Sequence, residues 1–254
     1  MTKPKIKRLG ALQAALAWTL AGFVAGAGAA DTATVLARAS IVANGFEVQL
    51  VESARAGGAM ERSFTRDGAL LYRSVVKTQP AGFEVQVLAG HASQRGSFKV
   101  EAGRLEVSDS AGHALWAEPL REPLCLPELF AEFVRAHWQR LGTDAAPLRC
   151  GMPIIKAKKL APLQLRRLPD TPEGLRVVEV SPGSLFMRFF FVATRLTFSA
   201  DGTRLLAHQG QFEAPPRTEG RASYLRGAAR FALTREAPLW PAARFAPTAV
   251  AVAR

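Results

Sequence analysis

The feature that most constrains the fold is the run from Leu126 to Leu141, LPELFAEFVRAHWQRL. Beyond the first thirty residues it is the one long stretch with an unmistakable helical period. Apolar side chains at Leu126, Leu129, Phe130, Phe133, Val134, Trp138 and Leu141, with His137 among them, recur at the three- and four-residue spacing of a single helix face. Pro127 stands where a first-turn proline loses no backbone bond. Glu128 and Glu132 come early and Arg135 and Arg140 late, as the helix dipole favours, and Gly142 offers a C-terminal stop. The spacing predicts one long amphipathic helix over 126–141.

The rest of the chain reads as short strands. FEVQLV at 46–51 and FEVQVL at 83–88 alternate apolar and polar residues, as half-buried strands do. Asp67-Gly68 and Asp201-Gly202 are two-residue hairpin signals, and Ala102-Gly103 separates two further alternating arms. Six or seven strands are expected before the helix, with turns every 8–12 residues or so, the spacing of an antiparallel layout. After it, strands are expected at 152–158, 160–167, 175–180, 185–192, 195–199 and 204–208, with one more at 224–233. Pro153 and Pro162 suit sheet edges or bulges. Three further prolines, Pro238, Pro241 and Pro247, predict a poorly ordered Pro/Ala/Arg-rich tail over 235–254.

The first thirty residues carry an address. Lys3, Lys5, Lys7 and Arg8 precede an apolar run that ends in AGAGAA, the pattern of a secretory signal peptide; an uncleaved membrane anchor is the rival reading, for which the apolar run is short. Its removal lowers the formal charge from +12 to +8 and leaves a domain expected over 31–234. The expected location is therefore periplasmic. There the remaining basicity suits an anionic membrane surface or an acidic envelope partner, and no nucleic acid, although a generally solvated basic surface explains it too. Cys125 and Cys150 flank the helix, and in an oxidising compartment such a pair is expected to form a disulfide, two separate buried thiols being the other reading. With two cysteines and four histidines, no zinc constellation is expected, and no cofactor either.

Catalytic motifs are weak. G-x-S-x-G does not occur, and the lone S-x-x-K, Ser74 to Lys77, lies in a predicted strand, where three residues apart means opposite faces. Glu128 and Glu132 suit a carboxylate pair or an exposed first turn equally well. His137 suits a packed histidine better than a ligand. No enzyme is expected.

The stretch LFMRFFFV, at 185–192, places bulky groups on both faces of one strand. Plain core is one reading. The other is an apolar ligand site in which Phe186, Phe189, Phe190 and Phe191 join Phe130, Phe133 and Trp138. Lys156, Lys158, Lys159, Arg166 and Arg167 are then candidates for a cationic rim facing a headgroup, or else simply lysine-blunted strand edges.

The combination of FVRAHWQRL, LQLRRL and the Asp201-Gly202 hairpin with RLLAHQGQF resembles uncharacterised exported bacterial proteins with the half-barrel of LolA and LolB. That resemblance implies a mainly β (α+β) fold, a strongly curved antiparallel sheet wrapped around one long helix, with apolar ligands held between them. The expected function is a periplasmic carrier of a lipid or fatty acyl ligand. The alternative is an envelope-assembly or interaction protein with a filled core and a basic partner-binding surface.

Overall fold

Alternation governs most of the molecule. The computed structural model describes residues 33–245 apart from Asn44, 92–93, 144–145, 185–187, 189–190, 214–223 and Leu239; the expected signal peptide lies outside the described residues. In the first strand, β1 (Val35–Ala43), Ala37, Ala39, Ile41 and Ala43 are buried while Arg38 and Val42 face out. The same two-residue period continues through β2 (Phe46–Ala54), β3 (Met60–Arg66), β4 (Ala69–Gln79), β5 (Gly82–Ala89), β6 (Gly96–Glu101) and β7 (Arg104–Asp109). It relaxes in the half-exposed β8 (Ala114–Pro119). After the helical segment come β9 (Leu148–Ile154), β10 (Lys159–Leu168), β11 (Arg176–Pro182), β12 (Thr194–Phe198), β13 (Leu205–Phe212) and β14 (Leu225–Leu233).

These fourteen strands, counted among the described residues, form one antiparallel sheet of two meanders joined back to back. β1 to β8 run outward to one edge, and β9 to β14 run inward from the other. β14 completes the sheet by pairing with β1, Ala43 opposite Gly227 and Ile41 opposite Ala229. Both Asp67-Gly68 and Ala102-Gly103 take the paired positive φ values of tight hairpin turns, 50° and 76° in the first and 46° and 74° in the second. Pro162 sits one residue before β10 begins its pairing with β11, so its missing N–H interrupts no bond to that strand.

Only residues 120–123 separate the end of β8 from Leu124, which bridges in parallel to Gly151 of β9, the opposite edge. Cys125 donates its N–H to the Gly151 carbonyl at 3.0 Å, and the Gly151 N–H donates to the Pro123 carbonyl at 2.8 Å. The Cys125–Cys150 disulfide fastens this crossing, with both cysteines fully buried.

Two expectations are corrected. The long helix over 126–141 is instead a 3₁₀ turn (Pro127–Leu129), a seven-residue α1 (Phe130–Ala136) and a six-residue α2 (Trp138–Thr143). The break falls at His137, whose backbone leaves helical geometry at φ −108°, ψ 14°. At this point the Phe133 carbonyl is met by both the His137 ring Nδ1, at 2.9 Å, and the His137 backbone N–H, at 3.1 Å. The strongly curved half-barrel around that helix does not form either. The fourteen strands form one large antiparallel sheet that is not strongly curled.

Up to residue 245 the segment after β14 also departs from the poorly ordered tail that its prolines predict; residues 246–254 of that expected tail lie outside the described residues. Glu236 bridges to Arg204, and the Ala237 N–H donates to the Thr203 carbonyl. Trp240 and Phe245 are buried, and the Phe245 carbonyl accepts the Leu124 N–H at 2.8 Å. Arg135 of α1 reaches the same segment through an ion pair with Glu236 at 3.0 Å and a hydrogen bond to the Ala237 carbonyl. Two aromatic residues within a Pro/Ala/Arg-rich stretch thus secure it.

Candidate functional site

From 126 to 138 the helical segment has no exposed residue, acids included, while Gln139, Arg140 and Gly142 of α2 face out. Glu128 and Glu132, which suited an exposed first turn, retain 3% and 2% of their surface. Partners from distant strands make this possible. The Glu128 carboxylate accepts a short hydrogen bond from the Tyr72 hydroxyl on β4. Glu132 meets Arg235 at 2.5 Å, and Arg235 also donates to Glu52 at 2.8 Å. Arg62 of β3 closes the network. Its Nε and Nη2 donate to Glu52 at 3.0 and 2.7 Å, Nη1 donates to the Pro127 carbonyl at 2.9 Å, and Nη2 reaches the Glu128 carbonyl at 3.2 Å.

The electrostatics follow from this arrangement. Burial alone would push the Glu52 carboxyl up, but Arg62 and Arg235 outweigh it and hold it low. Glu132 goes the other way: burial raises it, and its one cation, Arg235, does not compensate fully. Its Oε2 has no hydrogen-bond partner. His208 of β13, stacked on Phe212 with ring centroids 4.1 Å apart, is pushed down to about 3 by burial and by Arg62, so it is neutral at physiological pH.

Beside this network lies a cavity of about 120 Å³. Its apolar wall includes Val87, Phe98, Leu126, Phe130, Ile154 and Phe191. Its polar groups are Tyr72, Glu128, Gln94, Gln211, Glu213 and Tyr224, the last 38% exposed and the most open part of the wall. Glu213, just past the end of β13, stands out: its Oε2 is out of contact with solvent and has no hydrogen-bond partner. Burial, reinforced by Glu128 and Glu52 and opposed by Arg62, raises its carboxyl to about 7. Burial and then the Glu128 carboxylate hold the Tyr72 phenol well above its ordinary range. The site can therefore accept an apolar body and accept hydrogen bonds at one end, with a carboxyl that changes charge near neutral pH.

The residues singled out from the sequence distribute unevenly. Phe130 and Phe191 line this cavity. Phe133 stacks on His137 at 4.4 Å and meets Phe245 edge-on at 5.3 Å, within filled core. Trp138 packs against Phe198 and under the Arg167 guanidinium, and it faces Gly202, where a Cβ would come within 3.1 Å of the indole. Phe186, Phe189 and Phe190 lie outside the described residues. The strand expected over 185–192 does not include Arg188, Phe191 or Val192, the members that are described.

Of the basic candidates, Lys158 and Lys159 are exposed just beyond Ile155, a cavity residue, while the Lys156 side chain is outside the description. Arg166 and Arg167 stand further along β10, paired with Glu179 at 3.6 Å and Asp170 at 3.0 Å. Glu213, Tyr72 and the ion network escaped the sequence reading, since their pairing depends on strands far apart in the chain.

Among the described residues, no group of His, Cys, Asp and Glu is arranged to hold a metal, and no helix is long and apolar enough to cross a membrane. No protein-family model matches the chain, and no curated protein or solved structure matches it.

Proposed function

We propose that this protein is a non-catalytic binder of a small apolar or amphipathic molecule, acting in the periplasm. The cavity beside Phe130 and Phe191 is the observation that carries this reading. A mostly apolar hollow with a few convergent polar groups is the usual form of a small-molecule site. Its 120 Å³ is close to the roughly 150 Å³ that admits benzene in a well-studied engineered cavity. The occupant is thus a molecule of a few carbons, or the end of an acyl chain whose remainder leaves past Tyr224. The buried Cys125–Cys150 disulfide supports an oxidising compartment. Lys158 and Lys159, exposed beyond the cavity residue Ile155, are the remaining candidates for rim cations that meet a headgroup.

Native mass spectrometry of gently purified protein, with lipid extraction of the same sample, tests this. A co-purifying or added acyl species is expected, and Val87→Trp, which fills the cavity, is expected to lose it while remaining folded. A bare mass that takes up neither fatty acid nor phospholipid contradicts the carrier reading. It would favour an interaction protein whose basic surface meets an envelope partner.

A further inference from the structure

The carboxylate in the cavity wall narrows the chemistry of the occupant, given that the cavity binds one. Four buried or partly buried carboxylates meet at this junction, Glu52, Glu128, Glu132 and Glu213, against two guanidiniums, Arg62 and Arg235. His208 is neutral and adds no charge. Arg235 is engaged by Glu52 and Glu132, and Arg62 by Glu52 and two backbone carbonyls. The junction is therefore short of positive charge or donated protons. Glu213 and Gln94 both line the cavity, and Glu213 Oε2 and Gln94 Oε1 are sealed acceptors without a hydrogen-bond partner. The carboxylate is the one of the two that can carry charge, and a small turn of its side chain presents it to the hollow. A buried acceptor without a donor is costly, and a donor in the hollow removes that cost.

We propose that the cavity takes a small aliphatic amine, its ammonium group held by the Glu213 carboxylate and its hydrocarbon part lying between Phe130, Ile154 and Phe191. The Glu128 carboxylate, already carrying the Tyr72 hydroxyl, supplies a second negative charge across the wall. A ligand bearing a carboxylate or phosphate at this end would instead face two acids, so the site discriminates by charge sign. Other charged or titratable groups acting on Glu213 are Arg62 from β3, Glu52 from β2 and the phenols of Tyr72 and Tyr224. Arg62 is the cation opposing the ammonium, and its hydrogen bonds to Glu52 and the two carbonyls keep it fixed. Binding the ammonium favours the ionised carboxylate, so affinity strengthens as Glu213 loses its proton.

The test is an NMR titration of the mature chain with four probes: n-butylamine, 1-butanol, sodium butyrate and benzene. Butylamine is expected to bind about tenfold tighter than butanol, with butyrate weakest. Its affinity should rise severalfold between about pH 5.5 and about pH 8.5, a range over which an alkylamine, like a lysine side chain, stays protonated. Glu213→Gln should abolish both the amine preference and the pH dependence, with butylamine then binding no tighter than butanol. If that variant does not fold, the wild-type pH profile decides alone. Benzene and butanol binding without amine preference, or with butyrate preferred, overturns the amine assignment and leaves the cavity reading standing. Failure of all four probes to shift cavity resonances overturns both.

Discussion

The helical segment borders two interiors that differ in kind. On one side the aromatic rings close completely. Phe133, His137, Phe83, Trp240 and Phe245 contact one another at centroid distances from 4.4 to 6.2 Å, with Phe83, Phe133 and Phe245 wholly buried. On the other side, around Phe130 and Phe191, the wall carries carboxylates and keeps a hollow. Flat rings supplied by the C-terminal segment can stack until no space remains. Carboxyl groups cannot collapse onto apolar neighbours without losing their hydrogen bonds, so an acid-lined junction resists filling. The difference separates a closed region from one that keeps space.

The sharpest contrast comes from truncating an aromatic on each side. Phe245→Ala is expected to cost about 4 kcal/mol in urea unfolding, since it opens a void in packed core. Phe191→Ala, beside space that already exists, should cost roughly half as much. Equal losses would erase the distinction between the two interiors.

Replacing both Cys125 and Cys150 with serine should destabilise the protein by about 3.5 kcal/mol, the chain-entropy value for a loop of this length. It should also weaken the crossing from β8 to β9 more than the β1–β14 seam. Hydrogen exchange at Gly151 and at Ala229 compares the two directly, and uniform loss of protection would argue against a local role for the bridge.

A smaller effect is expected from pH. Because the Glu213 carboxyl is raised to about 7 in the folded state, folding favours its protonated form. Its contribution is fully present below the ordinary carboxyl range, falls as pH rises toward about 7, and is flat above that. The full span is at most about 3 kcal/mol for such a shift. Denaturation curves across this range should show the slope in wild type and lose it in Glu213→Gln. The smallest change is expected from Val87→Phe, which partly fills the hollow and should alter stability by less than about 1 kcal/mol. A large loss there would mean that the hollow is already filled in solution.

What could be read from the sequence was local. The Asp67-Gly68 and Ala102-Gly103 hairpins were legible because two adjacent residues determine each turn; Asp201-Gly202 marked the third, although there β12 and β13 are joined through residues 199–204. The disulfide was legible from two cysteines and a compartment. The fate of Glu128 was not: its Tyr72 partner lies 56 residues away, and Arg62, which reaches the Glu128 carbonyl, lies 66 away. An apolar stripe shows which side of a helix is buried, but it does not exclude burial of the other side when a sheet supplies the matching charges. The break at His137 was hidden too, since a histidine on the apolar face fits a continuous helix equally well. The stretch 235–245 was misread by weight of proline, although Trp240 and Phe245 were the residues able to reveal its docking.

The most direct test of the account is a methyl-resolved carbon NMR titration with benzene, which probes the hollow without reference to any headgroup. Shifts are expected at Val87, Leu126, Ile154 and Ile155, while Val100, paired with Phe83 on the filled side, stays unchanged. Unmoved methyls on both sides, or equal shifts on both, would contradict the claim that one interior is closed and the other is a binding site.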